Sequence, residues 1–515
     1  MRKILEGKQI ILGVTGSIAC YKAADLASKL AQAGAAVDVI LTQSAAKFVT
    51  PLTFQSVTGR RAYLDADLWG SDGHVQHIAL ARQADLMVIA PASANTLAKL
   101  AHGIADNMLS ITALAADCPM VLAPAMDGNM YTHPATQANL ETLWQRGVTL
   151  VGPASGHLAS GLVGAGRMVE PAELFGYIRL ILGRGGPLSN SRILITAGGT
   201  EEPIDPVRSI TNRSSGKQGF ALAQAALDMG AKVTLIAGIT TLSTPIGAER
   251  LDVRTARQML EQVLGKLPQH DALIMAAAVA DFRPASPASQ KIKKEAGAPE
   301  IKLEANPDIL AAVGRIKDEI GMPDVLVGFA AESQELIKNA EAKLKAKNLD
   351  LIVANDISAD DAGFSVDTNR VTLLDSTGNI ESLPLMSKDE VALHVLNRVS
   401  ALLDGREILH ICPRADWDAA QSQGDYRSAS LESEGFIHAS RLRQLLRSAN
   451  RFFKGAQNLV VLWMKPRLLT SPLRFEEADG QRFPHIYGPI NLNAVVAVTP
   501  LRADPDGVFR DIPTP

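Results

Sequence analysis

From residue 9 the chain alternates short β-branched apolar runs with alanine-rich helical stretches. Gln9–Val14 predicts a strand, the text from about Ile18 to Gly34 a helix, and Ala36–Leu41 a second strand. Further strands are expected over Leu86–Ala90 and Pro119–Ala123, with a long helix running into Asp117 between them and another helix ending near Gly147. Continuous apolar strands separated by helices predict a parallel sheet covered on both faces. The stretch Gly147–Gly166 holds six glycines with Pro153 and His157, and reads as a loop.

The same alternation restarts at Arg192–Thr196, after the loose segment Gly183–Asn190, which predicts a linker. The second series runs through Lys232–Ala237, Ala272–Ala277, Val325–Phe329 and Leu351–Ala354, and closes with a helix from Lys388 to about Leu403. Past Asp404-Gly405 the character changes: two of the four tryptophans (Trp417, Trp463), three of the ten histidines and denser arginine follow. The expected architecture is therefore α/β: two doubly wound, Rossmann-like domains at 1–183 and 190–403, then a small α+β domain at 404–515.

Composition changes this picture only by exclusion. In 515 residues, 47% hydrophobic and 20% charged, the formal net charge is -3, so no overall field draws nucleic acid or an anionic membrane. An anionic ligand must be held by a local site. Cys20, Cys118 and Cys412 are far apart, which supports neither a disulfide framework nor a structural zinc site and fits a reducing cytoplasm. The charged start Met1–Lys8 has no apolar run for a signal peptide.

Two loops carry the chemistry of the first domain. Gly13–Ala19 leads from the first strand straight into a helix, where backbone amides and the Ser17 hydroxyl could face a phosphate, although a tight turn would use the same glycines. Pro91–Thr96 again follows an apolar strand and precedes a helix, the place where doubly wound sheets bind ligands.

Together with His77–Ala81, Pro124–Tyr131 and Gly164–Met168, these segments resemble the flavin-dependent phosphopantothenoylcysteine decarboxylases over about residues 5–182. The resemblance implies FMN held by Gly16, Ser17, Ser44, Ser93, Asn95 and Thr96, with His77 facing the flavin as a catalytic group. Asp127 and Met130 would grip the substrate, and Gly156–Gly166 would close as a flap. Losing CO₂ from a cysteine carboxyl needs an electron sink, which a flavin supplies by oxidising the thiolate carbon. Two positions depart from the family: Asp127 stands where asparagine is usual, and Ser160 lies where many relatives carry the cysteine acid. The second departure leaves the proton donor open.

In the second domain, Ile195–Arg208 is glycine-rich without being a phosphate-binding fingerprint, and Asn212–Gly219 gathers amide, hydroxyl and ammonium donors at a helix start. With Ala276–Phe282, Lys291–Lys294, Asn306–Ile309, Gly328–Glu332 and Ala354–Asp356, these segments resemble phosphopantothenate-cysteine ligases over about residues 190–400. The order matches the fused enzymes of coenzyme A biosynthesis. The resemblance implies that CTP activates 4'-phosphopantothenate as an acyl-cytidylate, which cysteine's amine then attacks. Asn212 would stabilise that intermediate under a mobile loop carrying Lys291, and Asp281, Pro307, Asp308, Ile309, Leu310, Phe329, Lys343 and Lys347 would contact CTP. Mg²⁺ would complete the charge balance of a triphosphate. Read without their neighbours, Lys291–Lys294 is a solvated charge run, and Lys343 and Lys347 are a helical pair on an exposed face.

The third domain places His410, His438 and His485 beside strand-like sequences, too widely spaced for a diagnostic metal site. It resembles a small bacterial family of undefined function, whose pattern faintly resembles ADP-ribosyltransferase-like folds. The whole predicts a cytoplasmic bifunctional enzyme: ligation by the second domain, then decarboxylation to 4'-phosphopantetheine by the first. Family precedent implies a homo-oligomer of trimers linked through dimers. A flavin-binding regulatory protein, or a flavin-dependent decarboxylase of another substrate, is the alternative.

Overall fold

In a strand, successive side chains point to opposite faces, so a run apolar at every position must be covered twice. The strand Gln9–Val14 is such a run from Ile10 onward. Ile10, Leu12 and Val14 pack with Leu26 and Val39 in one buried cluster, while Ile11 joins Met87, Ile89 and Leu109 in another. Burial of each such side chain stabilises by roughly 2 kcal/mol. The same division recurs in the C-terminal domain, where Ile408, Cys412 and Val460 pack in one cluster and Leu409, Ile411 and Val461 in another.

The structure, a computed structural model, describes residues 4–69, 76–189, 191–293, 300–320, 323–332, 335–356, 366–404, 407–478 and 481–513. The chain divides into two compact units, Met1–Arg184 and Gly185–Pro515. In the first, six parallel strands lie in chain order 3-2-1-4-5-6. Gln9–Val14 and Leu86–Ala92 are the central neighbours, with the sheet wound in opposite directions on either side of them. At such a switch point the loops after the two strands diverge and leave a crevice.

Two expectations need correction here. The single long helix expected up to Asp117 is two helices, Ala94–His102 and Met108–Ala115. Gly103 ends the first in the left-handed region at φ 69°, and Asn107 starts the second with a reciprocal cap, its side chain accepting from Ser110 N while the Ser110 hydroxyl engages Asn107 N. The glycine-rich stretch expected to be a loop contains an antiparallel hairpin, Ala154–His157 with Val163–Arg167. Glycine is required where the hairpin crosses Met126: a Cβ on Gly166 would strike the Met126 carbonyl oxygen. The composition that suggested a loop thus serves close backbone approach.

The second unit opens with an eight-stranded sheet. Six strands are parallel, and two antiparallel strands, Val371–Asp375 and Ile380–Ser382, close one edge. Its switch point lies between Arg192–Ala197 and Ala272–Met275. The chain then forms a small α+β domain with two three-stranded antiparallel sheets, built on Ile408–Pro413, Leu459–Met464 and Val495–Leu501, and on Ile437–His438, Gln481–Ile486 and Leu473–Ala478. This domain meets the large sheet at the amino ends of its strands: Arg441 Nε lies 3.5 Å from Asp324, just before Val325–Glu332, and Glu477 pairs with Arg192.

His410 sits inside the small domain, with its tautomer fixed by its neighbours. Nδ1 donates to the His438 carbonyl at 2.6 Å, and Nε2 accepts from the Tyr426 hydroxyl at 3.0 Å. Burial lowers its pKa to about 4 from the ordinary 6.5. Its contribution to stability is therefore complete above pH 6.5 and lost as pH falls towards 4, an effect of about 3 kcal/mol at its limit. Fluorescence of the buried Trp417 and Trp463 should report loosening of this domain across that interval. His410→Gln should flatten that pH dependence, whatever its cost at neutral pH.

Candidate functional site

Each parallel sheet has a cavity at its switch point. The first holds about 450 Å³ and is bordered by Gly16, Ser17, Ser93, Asp127, Met130 and Ser160, among others. Buried Thr15 ties its two loops together, donating to the Pro91 carbonyl at 2.7 Å and accepting from Ser93 N at 2.9 Å. Gly16 passes so close to Ser44 that a Cβ would lie 2.5 Å from the serine Cβ. Ser93 caps the helix Ala94–His102 by accepting from Thr96 N, with the Thr96 hydroxyl 3.2 Å away. Ser44 and Thr96 thus support the cavity wall from behind.

His77 and Asn95 do not border this cavity. Asn95 is exposed on the first turn of its helix. His77 opens the helix Gln76–Gln83, and its Nδ1 is shut from solvent with no hydrogen-bond partner among the described residues.

The hairpin tip forms the outer wall, and there Asp127 and Ser160 meet. Ser160 Oγ donates to Asp127 Oδ2 at 2.5 Å, while Asp127 Oδ1 accepts from Asn129 N at 3.1 Å and caps the short helix Gly128–Thr132. The Ser160 hydroxyl, then the Asn129 amide, hold the Asp127 carboxyl below its ordinary range. The side chain is thus a carboxylate at neutral pH, and it fastens the tip to the cavity floor. Sequence reasoning missed Lys22, also on the wall: it is buried, and its ammonium donates to the Met168 carbonyl at 2.8 Å and to Glu170 at 2.9 Å. Its position in an otherwise apolar helical stripe offered no signal.

The second cavity, about 310 Å³, is bordered by Asn212, Lys217, Asp281, Phe329 and Lys343. Gly216, left-handed at φ 78°, turns the chain into the helix Lys217–Asp228 beneath it. Asn212 Nδ2 donates to the Val279 carbonyl at 2.9 Å, joining the two loops of the switch point. Asp308 caps the next helix by accepting from Ala311 N at 2.9 Å and pairs with Lys347 at 3.1 Å. Ile309 is buried in the core and Leu310 packs against it.

Pro307, Asp308, Ile309, Leu310, Lys347 and Lys291 do not border this cavity. The loop beside Lys291 is nevertheless anchored: Asp205 accepts from Ile292 N at 3.1 Å, and Arg208 donates to the Ile292 carbonyl at 2.8 Å. Arg208 keeps the Asp205 carboxylate strongly ionised. Lys294, the last residue of that charge run, lies outside the described residues.

Gln218, Asn355, Asn369 and Lys388 also line this wall. Asn369 and Lys388 carried no signal, because they are brought in by a separate two-stranded antiparallel ribbon, Thr368–Asn369 with Met386–Ser387, that the α/β alternation does not announce; Lys388 opens the helix that follows it. Burial, and then repulsion from Lys217, lowers the Lys388 pKa. In the small domain the three histidines form no common metal site; among the described residues no group of three potential ligands converges. No helix among them is long and apolar enough to cross a membrane.

Three family models match the chain: Flavoprotein over residues 2–182, DNA/pantothenate metabolism flavoprotein C-terminal domain over 188–403, and a protein family of unknown function, DUF952, over 411–498. The coenzyme A biosynthesis bifunctional protein CoaBC of Bacillus subtilis is 46% identical over 402 residues, covering 78% of this chain and 98% of that protein. The protein of the same name from Vibrio vulnificus is 44% identical over 404 residues, covering 78% and 99%. Among solved structures, the C-terminal domain of a CoaBC protein is 39% identical, covers 43% of this chain and 99% of its own, and has a TM-score of 0.37.

The hairpin's dependence on Gly166 is testable. Gly166→Ala should push the hairpin off Met126 at a cost of about 1–3 kcal/mol, speeding protease cleavage between residues 157 and 163 by about tenfold or more. Gly164→Ala, where a Cβ meets nothing within 4 Å, should cleave at the parental rate.

Proposed function

The chain belongs to the family of coenzyme A biosynthesis bifunctional proteins, and from that membership we propose a division of two consecutive reactions between its units. Residues 190–403 join 4'-phosphopantothenate to cysteine at the expense of CTP, and residues 1–183 decarboxylate the product to 4'-phosphopantetheine with FMN. The observation that carries this reading is the presence of both cavities, each at the switch point of its own sheet, in a chain that spans 98% of its Bacillus subtilis relative.

In the ligase unit, the amino end of helix Lys217–Asp228 and the ammonium groups of Lys217 and Lys343 suit the phosphates of CTP. Asn212 is positioned to steady the acyl-cytidylate by its amide, and Lys291 would approach from the anchored loop. Asp281 and Phe329 on the wall, with Pro307–Leu310 and Lys347 behind it, form the nucleotide side of the cavity. Mg²⁺ would ride on the triphosphate.

In the decarboxylase unit the residues fit a flavin phosphate. Gly16 and Ser17 lead into the helix Cys20–Gln32 and Ser93 caps Ala94–His102 beside the cavity, while the buried Lys22 ammonium on the wall is shared with Glu170. Bound FMN supplies the two-electron sink that lets the substrate's carboxylate leave as CO₂. The chain's own residues close the site, exclude water and handle protons. Asp127 keeps Ser160 over the cavity, where the hydroxyl oxygen accepts from an ordered water; to reach a substrate thiolate the hydroxyl must first turn away from Asp127. His77, outside the cavity of its own chain, supports an assembly in which a second copy completes the site; trimers linked through dimers are the proposed form. Three free cysteines fit a reducing, cytoplasmic setting.

Purified protein supplied with phosphopantothenate, cysteine, CTP, Mg²⁺ and FMN should yield both CMP and CO₂. Absence of both would sink the reading. Ser160→Ala should slow the final reduction more than CO₂ release, so that an oxidised enethiol accumulates, and Ser160→Cys should restore or raise turnover. Parental behaviour of the alanine variant in both half-reactions would remove Ser160 from the chemistry.

Truncation after Leu403 should preserve both activities, because neither cavity uses the small domain. The ligase unit should still melt about 2–4 °C lower for each kcal/mol of lost interface. Calorimetry beside turnover separates the two effects.

A further inference from the structure

One wall of the ligase cavity is a row of amides with a fixed direction. The Lys388 carbonyl can only accept, and it takes Gln218 Nε2 at 3.1 Å. Gln218 therefore offers Oε1 to the next residue, and Asn369 Nδ2 donates to it at 2.9 Å. Asn369 is left with Oδ1, which Asn355 Nδ2 approaches at 3.5 Å. Each amide is oriented by the one before it, because an amide presents an acceptor on one side and donors on the other. The row must end on a carbonyl oxygen, Asn355 Oδ1. That atom is shut from bulk water and has no hydrogen-bond partner among the described residues, although Asn355 borders the cavity.

An unmatched acceptor beside a polar cavity calls for a ligand bearing N–H or O–H. It repels phosphate and carboxylate oxygens, which Lys217, Lys343 and Lys388 on the same cavity are suited to attract. Cysteine's attacking group is a primary amine, which is nucleophilic only when neutral. The nearby ammonium groups disfavour its protonated form.

We propose that Asn355 binds the α-amine of the incoming cysteine, accepting one N–H at Oδ1 so that the nitrogen lone pair is turned towards the activated carbonyl. This rests on the ligase reading given above. The nitrogen pair forms the new C–N bond, the C–O bond to the cytidylate breaks with its electron pair leaving on CMP, and one amine proton passes to water. Gln218 and Asn369 are positioning residues that act through Asn355.

The test separates the two stages in the full-length protein. With phosphopantothenate, CTP and Mg²⁺ but no cysteine, the parent and Asn355→Ala should release pyrophosphate at similar rates. When cysteine is added, the alanine variant should need about tenfold more cysteine for half-saturation, as expected for one lost hydrogen bond, with the KM for CTP unmoved. The aspartate variant keeps an acceptor, but its charge favours the ammonium form. Its cysteine-dependent rate should therefore rise at higher pH than the parent's.

An unchanged cysteine KM in Asn355→Ala, a rise in the KM for CTP instead, or equal loss of both stages would overturn the subsite. Failure of the parent to release pyrophosphate would overturn the ligase reading and the subsite with it.

Discussion

A parallel sheet covered on both faces leaves little room for polar chemistry within its body, since every side chain of its strands is committed to packing. The ends of the strands are what remain. Where the winding reverses, two neighbouring strands send their loops apart, and helices that start there direct unpaired N–H groups into the gap. Both cavities occupy such places. Thr15 in the first and Asn212 in the second do the same physical work, joining the diverging loops by a hydrogen bond so that the gap keeps its width.

Within that shared frame, the first cavity differs in having a cover from its own chain. The cover is fastened by the contact between Ser160 and Asp127. Read separately, Asp127 looks hostile to an anionic substrate and Ser160 looks like a weak acid. In contact they form one unit, a carboxylate whose charge is partly absorbed by a hydroxyl and a backbone amide. The electrostatic cost that either substitution suggests alone is moderated by the other.

Much of this was legible in the sequence. Two-sided apolar strands announced both sheets, and Gly13–Ala19 and Asn212–Gly219 announced where the cavities open. Features governed by distant partners were not legible. The break at Gly103 depends on one glycine conformation and one asparagine cap. The hairpin at 154–167 was obscured by its glycines, of which Gly166 is required by closeness to Met126. Asn369 and Lys388 reach the second cavity by way of a two-residue antiparallel ribbon and the helix start after it, and the direction of the amide row follows from a backbone carbonyl, which no side-chain pattern encodes.

The placement of the small domain bears on how such a fusion persists. Arg441 lies buried against Phe475, with Nε and Nη1 lacking hydrogen-bond partners among the described residues, and the acid facing it, Asp324, belongs to the ligase. The dependence is unequal: the host keeps its cavity at the opposite ends of its strands, while the guest has a desolvated cation whose countercharge it does not encode. Once such a junction exists, drift at Asp324 is constrained on behalf of a domain that borders neither cavity. The fused segment becomes hard to lose by gradual change and easy to lose only as a whole.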